Sequence, residues 1–573
     1  MIRRFATLLA ACLAVTTTSC AGSGGGPPSP SATPTATRTA ASTATATPPD
    51  TATATSTATR TATTTASATA SLTATPEPSS TPTVSPTVTA TQNLLRLPDL
   101  HAAPDPDAGG RLVDAEGREV LLRGVNVNAL VEYWQGGQFP TVFPFADGDA
   151  DLIAAIGWNS VRLLLSWSRV EPEPGVYDDA YLEQARGIVR QLAGRGVYSI
   201  LDLHQDAWSA TLAARPNEAC TPPAEPALGW DGAPAWATLD GNKPRCASLG
   251  VRELNPAVST AFANFFDDAP GPGGVGIRTR YVAMLAHVAQ VLAVEPGVAG
   301  YDLMNEPNTF DDSQNAKLSA MYSAAVPAIR AAEGAAGSPP RLILFEPSAL
   351  WTTLGGGAPP DFARDRDVVY APHIYTGGLT SDPLTSDPFT VAGNEAADFG
   401  GAPVLSGEWG GDPHRAADPT DTYFIDFQSL ADQFFFSATL WTWRESCGDP
   451  HKQADYRAGN IPSVWGEFEV DCTSNTITGV RQDVVNQLTR AWVRAAPGRL
   501  VQNVYVYSTG SFIARGTAAP AGAELLAFYP ASHAGERTLA TTGLTDVQQL
   551  PAPGANRYIV AHAAGGDWSI ATQ

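Results

Sequence analysis

No glycine-rich phosphate loop follows the first apolar strand of this 573-residue sequence, and no Cys-x-x-Cys pair occurs in it. The first absence removes the usual cradle for a nucleotide, and the second argues against a structural zinc site. Positive charge is scarce: 35 Lys and Arg stand against 57 Asp and Glu, for a net charge of −22. Residues 1–94 hold four arginines and two acids, so the whole negative excess belongs to residues 95–573. Such a field repels nucleic acid and anionic membrane surfaces, and a neutral substrate suits it better. An apolar run of spanning length is missing at the N-terminus, where Phe5–Val15 falls well short of the ~20 residues a membrane helix needs.

What that N-terminus does contain is Met1-Ile-Arg-Arg4, the short apolar run, and then small polar residues, the layout of an export signal over residues 1–20. Cys20, followed by Ala-Gly-Ser, is a candidate lipidated cysteine and hence a membrane attachment; Cys12 is the alternative position. Residues 21–94 are mainly Thr, Ala, Pro and Ser and cannot bury enough apolar surface to offset their ordering entropy. They are expected to form a disordered linker or stalk. A secreted or cell-surface protein, monomeric, is expected. Four cysteines remain, Cys220, Cys246, Cys447 and Cys472, and these allow three pairings. Cys220–Cys246 with Cys447–Cys472 is favoured, because each pair brackets one long loop.

From residue 95 to 495, apolar runs alternate with amphipathic stretches such as 179–195 and 279–294. The runs are EVLLRGVNVN, SVRLLLSW, VYSILDLH, VAGYDLMNE, LILFEP, VVYAPHIY, APVLSGEW and SATLWTW. Apolar strands separated by helices predict a parallel sheet covered on both faces, and eight repeats predict a (β/α)8 TIM barrel. Residues 496–573 instead alternate with Gly and Pro turns, which predicts a small C-terminal β-sandwich. Active sites of such barrels lie at the C-terminal strand ends. Those ends carry Arg162, His204, Asp206, Asn305, Glu306, Glu346, His373, Tyr375, Glu408 and Trp441. Turn-like or apolar ends are the ordinary expectation, so this density of ionisable groups marks a site. Two carboxylates across a barrel mouth suit glycosidic cleavage, one protonating the leaving oxygen and the other attacking the anomeric carbon. The acid needs a raised pKa, from nearby negative charge and an apolar wall, whereas Arg162 and Tyr375 would keep the nucleophile ionised.

The segments GYDLMNEP (300–307) and LSGEWG (405–410) resemble the acid/base and nucleophile segments of glycoside hydrolase family five. Arg162, His204, Asn305, Glu306, His373, Tyr375, Glu408 and Trp441 follow the order of that family's active-site set. LDLHQDAW (201–208), GAPAWAT (232–238) and the β-rich tail are similar to the endoglycoceramidase-like branch. The resemblance implies a retaining hydrolase of the β-bond between oligosaccharide and ceramide, needing no cofactor or metal. Glu306 would be the acid/base, Glu408 the nucleophile, and Asn305 a partner of the sugar 2-hydroxyl. Asp206 and Trp236 would hold the first sugar over Trp441. Trp236 reads equally as packing, and His204 and His373 have a second reading as core histidines. The chain departs from the family in the insertion between Trp208 and Trp230 and in WRESCGDPHKQADYR after the eighth strand. Both would line the mouth, where they bear on the aglycone. A β-glucosidase or endo-β-glucanase is the alternative within enzymes, and a non-catalytic carbohydrate-binding protein is the alternative outside them.

Overall fold

In the computed structural model the described residues are 95–572 except 249–250, 352–355, 363–364, 381 and 532–536. The expected signal, Cys20 and the 21–94 linker lie outside them. Eight parallel strands form the central sheet: β1 Arg123–Val127, β2 Ser160–Ser166, β3 Tyr198–His204, β4 Val298–Asp302, β5 Leu342–Phe345, β6 Val368–Tyr370, β7 Leu405–Trp409 and β8 Ser437–Leu440. Their order is β6-β5-β4-β3-β2-β1-β8-β7, and a parallel bridge between Tyr370 and Val404 joins the two ends into a barrel. Each of the eight apolar runs supplies one strand. The amphipathic stretches become outer helices, among them Asp179–Ala193 and Ile277–Leu292. Asp178 caps the first by accepting from the N–H groups of Ala180 and Tyr181 at 3.0 Å each. That helix buries Tyr181, Leu182, Ala185, Ile188, Val189 and Leu192, a 3.6-residue stripe facing the sheet.

Alternation along the strands decides what enters the barrel. In β2, Val161, Leu163 and Leu165 join the core under the helices, while Leu164 packs with Tyr375 and Trp441 inside the mouth. Arg162 shares the Leu164 side of the strand, so a period of two points it at the barrel axis.

The C-terminal strands form two packed sheets. One has four strands, Arg499–Val506, Ser511–Ala519, Gly566–Thr572 and Leu539–Thr542. The other has seven, four of them Trp492–Pro497, Glu524–Tyr529, Arg557–Ala563 and Leu544–Pro551. Its remaining three are Leu100–Ala103, Arg111–Asp114 and Arg118–Val120, from the segment that sequence reasoning grouped with the barrel. The first two are joined by the loop 104–110 and the last two by a tight turn, 115–117, held by Asp114 Oδ1 accepting from Glu116 and Arg118 N–H and by Gly117 at φ 78°. Connections of this length are too short for a parallel crossover, so the three strands pair antiparallel, and the third adds them to the C-terminal sheet with Glu119 opposite Ala496. One apolar cluster joins Leu122, Ile200, Leu342, Leu344 and Leu405 of the barrel to Trp492, Phe528 and Tyr558 of that sheet. The β-domain thereby closes the barrel floor.

Trp492 is 2% exposed and central to this floor. Trp492→Ala is expected to destabilise the protein by about 3–5 kcal/mol, read as a lower urea midpoint. An unchanged midpoint would show that the barrel does not depend on this packing.

Candidate active site

The mouth is organised around Arg162, which is 0% exposed. Its Nε donates to Asp302 Oδ2 at 3.0 Å, and its Nη1 donates to Asn126 Oδ1 and Glu408 Oε1 at 3.0 Å each. Nη2 donates to Asn305 Oδ1 and Glu346 Oε1 at 2.9 Å and lies 2.9 Å from Asp202 Oδ1. A planar guanidinium can meet groups from several strands in this way because its five N–H vectors are fixed in one fork.

Glu408 stands on β7, its Oε1 bound by Arg162 and its Oε2 accepting from the Tyr375 hydroxyl at 2.9 Å. Glu306 follows β4, and its backbone N–H donates to Glu346 Oε2 at 2.8 Å. Its φ is 39°, a left-handed conformation costly for a residue with a Cβ. Gln205 Nε2 donates to the carbonyls of Asn305 and Glu306 at 2.7 and 2.9 Å, which holds that turn. His373 lies between the two acids, with Nδ1 2.9 Å from Glu306 Oε1 and 3.5 Å from Glu408 Oε2, and with Nε2 3.1 Å from Glu346 Oε1. One oxygen of Glu306 and one of Glu408 lie within 4.8 Å of each other.

Burial raises the Glu408 carboxyl above the ordinary carboxylate range; His373 and Arg162 oppose this and Glu306 reinforces it. Burial raises Glu306 too, but its hydrogen bond to His373 and the charges of His373 and Arg252 outweigh it, and the net direction is down. His373 is held well above the usual imidazole range: burial would lower it, and Glu346 and Glu408 overcome that. This departs from the expectation of a raised Glu306 and a lowered Glu408. Sequence reasoning supplied Glu408 with its correct donors but lacked Arg252, and it understated the cost of burial.

His204 ends β3 with Nδ1 2.7 Å from Asp202 Oδ2, and its ring stacks on Trp441 with centroids 5.5 Å apart. Asp206 pairs with Arg252 at 2.6 Å and lies 3.7 Å from His204. Burial raises its carboxyl, yet Arg252 and His204 carry it far below the ordinary range. Asp231 beside it is pushed up to about 8 by burial, opposed by His204 and aided by Asp206. Asn305 spends its oxygen on Arg162 and donates through Nδ2 to the Gln205 carbonyl at 3.0 Å.

Of the residues expected here, Trp236 is the one the structure places elsewhere. Its ring meets Trp167 edge-on at 5.3 Å, and its Nε1 donates to the Glu171 carbonyl at 3.2 Å. It packs behind the mouth because Trp167, Arg280 and Glu171 offer an apolar wall and an acceptor. Trp230, Arg252 and His451 occupy the mouth in its place: the guanidinium lies 4.3 Å over the Trp230 ring, whose centroid is 4.9 Å from that of His451. Sequence reasoning missed these three along with Asp202, Asp302, Tyr133 and Asp449. The two aspartates had a signal: each is an acid inside a buried apolar strand, which demands a cation, and Arg162 lies inside another. Tyr133 Oη and Asp449 Oδ2 are buried polar atoms without a hydrogen-bond partner among the described residues. The two disulfides, Cys220–Cys246 and Cys447–Cys472, are those expected, and each staples one of the insertions that carry this wall.

An eight-stranded barrel with paired carboxylates at its mouth has the architecture of a glycosidase, and the sequence comparison agrees. Residues 113–446 match the cellulase family, glycosyl hydrolase family 5. The chain belongs to that family. A crystal structure of an endogalactoceramidase is similar at 35% identity with a TM-score of 0.72, over 83% of this chain and 100% of that one. Endoglycoceramidase I of Rhodococcus hoagii (strain 103S) is 29% identical over 288 residues, 47% of this chain and 52% of that protein. The endoglycoceramidase of Hydra vulgaris is 26% identical over 223 residues, 34% of this chain and 39% of that protein. The aligned regions thus span about half or less of these two relatives.

Tyr375→Phe removes one donor to Glu408, and a hydrogen bond to a charged group contributes about 1.5–3 kcal/mol. With Glu408 acting ionised, the substitution raises its pKa, so the acidic limb of the kcat/KM profile moves to higher pH and activity falls roughly 10- to 100-fold. An unmoved limb would remove Tyr375 from that role.

Proposed function

We propose that this family 5 glycoside hydrolase cleaves the β-glycosidic bond joining an oligosaccharide to ceramide, with retention of configuration. The observation that carries the mechanism is the approach of a Glu306 oxygen to within 4.8 Å of a Glu408 oxygen. Retaining pairs stand about 5–5.5 Å apart, and inverting pairs, which must admit a water, about 6.5–9.5 Å.

Glu408, oriented by Arg162 and Tyr375, attacks the anomeric carbon while Glu306 gives its proton to the leaving oxygen. Ionised Glu306 then takes a proton from water, which releases the sugar from Glu408 with the original configuration. His373 bridges the two acids, and Glu346 and Glu408 hold its imidazole well above the usual range. Trp441, backed by His204, offers a flat face for the first sugar ring, and Asp206 and Asn305 flank it with polar atoms.

Support for the ceramide-linked substrate comes from the relatives, two named endoglycoceramidase and one endogalactoceramidase. Support for export to the cell surface comes from the arrangement of residues 1–94, with Cys20 as the lipid attachment and the Thr/Ala/Pro tract as the stalk. The enzyme acts as a monomer in this reading and needs no cofactor.

On a chromogenic β-lactoside, Glu408→Gln is expected to lose activity by about four orders of magnitude or more, and full activity would remove Glu408 as nucleophile. Ganglioside in detergent should release intact oligosaccharide, visible by thin-layer chromatography. Hydrolysis of glucan polymer alone would reject the ceramide-linked substrate in favour of an endo-β-glucanase.

A further inference from the structure

The insertion after β3 ends in a 3-10 turn, Arg252–Leu254, followed by Asn255, whose side chain caps the helix Pro256–Phe266. That helix buries Phe262, Phe265 and Phe266, so Arg252 projects into the mouth from a fixed base. Its side chain is 19% exposed, and its guanidinium has contacts on every side. Nη2 lies 2.6 Å from Asp206 Oδ1 and 3.5 Å from Glu306 Oε2, and Nε lies 2.6 Å from Glu253 Oε1. Nη1 lies 3.1 Å from His451 Nε2, and the plane rests on Trp230. His451 is held in turn by Asp449, with Nδ1 2.7 Å from Oδ1. The two disulfide-stapled insertions therefore meet at Arg252, directly beside one of the two acids.

The charged groups that face Glu306 can be taken strand by strand. His373 comes from beyond β6, Glu408 from β7, Glu346 from beyond β5, Asp206 from beyond β3, and Arg252 from the insertion. His373 lies against both acids, 2.9 Å from Glu306 Oε1 and 3.5 Å from Glu408 Oε2, and lowers both. Arg252 touches Glu306 and not Glu408.

We propose that Arg252 is a positioning residue that holds Glu306 in its ionised form, the form that must accept a proton from water in the second half of the reaction. This rests on Glu306 being the acid/base. Asp206 orients the guanidinium: the same Nη2 lies 2.6 Å from Asp206 Oδ1 and 3.5 Å from Glu306 Oε2, so the shorter contact keeps that nitrogen beside Glu306. An opposite charge at this range favours the ionised carboxylate. Removal of Arg252 would raise the Glu306 pKa and also expose Glu306 to the uncompensated charge of Asp206, and both effects push the same way.

The test compares wild type, Arg252→Gln and Arg252→Lys on an aryl β-lactoside with a good leaving group, where release of the enzyme-bound sugar limits kcat. In Arg252→Gln the basic limb of kcat/KM is expected to move up by about one pH unit. Its kcat falls with KM, so that kcat/KM near the optimum changes far less than kcat. Arg252→Lys, which keeps the charge, should restore most of both. A basic limb in Arg252→Gln that coincides with wild type overturns the inference, as does a fall in kcat/KM equal to that in kcat. Glu306→Gln separates the two readings. If it keeps the basic limb, Glu306 is not the acid; if it abolishes the limb while Arg252→Gln leaves it in place, only the role of Arg252 has failed.

Discussion

The site depends on the buried guanidinium of Arg162. Arg162 is bonded to or paired with Asp202, Asp302, Glu346 and Glu408, acids from β3, β4, β7 and the end of β5, while His204 meets Asp202 and His373 meets Glu346 and Glu408 from the other side. Buried charges of this kind add little net stability, because desolvation consumes most of the Coulombic gain. Loss of one partner is another matter, since it strands the others in a low-dielectric interior. The cluster is better understood as a device of orientation. It presents Glu408 at a fixed angle, and through Glu346 it also fixes the backbone N–H of Glu306.

Around that hub the protein shares a small number of protons among many acids. Burial raises Glu408, His373 and Arg252 pull Glu306 down, and Glu346 and Glu408 hold His373 between them well above the usual imidazole range. Two carboxylates whose oxygens come within 4.8 Å titrate as a pair, so the limbs of a pH profile belong to the couple rather than to either residue. The donors on Glu408 and the cation beside Glu306 nonetheless differ, and the proposed division of roles rests on that difference.

The barrel was legible because each strand is buried on both faces and therefore reads as a near-continuous apolar run, broken mainly by the charged residues of the site. Strand-end positions then placed Glu306, Glu408, His204, His373 and Tyr375 at one mouth without further information. What the sequence did not disclose lies in the long connections. Trp236 and Trp230 are separated by one short turn in the same insertion, and local pattern carries no sign of which one faces the mouth. Arg252 and His451 are far apart in the chain and gain meaning only when two stapled loops meet. The segment 100–120 misled for a related reason: its partners, residues 495–497, lie at the far end of the chain, and antiparallel pairing across that distance leaves no local mark.

The claim that Glu408 forms a covalent bond to the sugar is open to direct measurement. A 2-deoxy-2-fluoro β-glycoside with a good leaving group slows release of the sugar from the enzyme more than its capture. Incubation followed by protease digestion and mass spectrometry should find the fluoro-sugar on the peptide containing Glu408, with one equivalent bound per chain. Attachment at another residue, or inversion of configuration with no labelled peptide, would contradict the account.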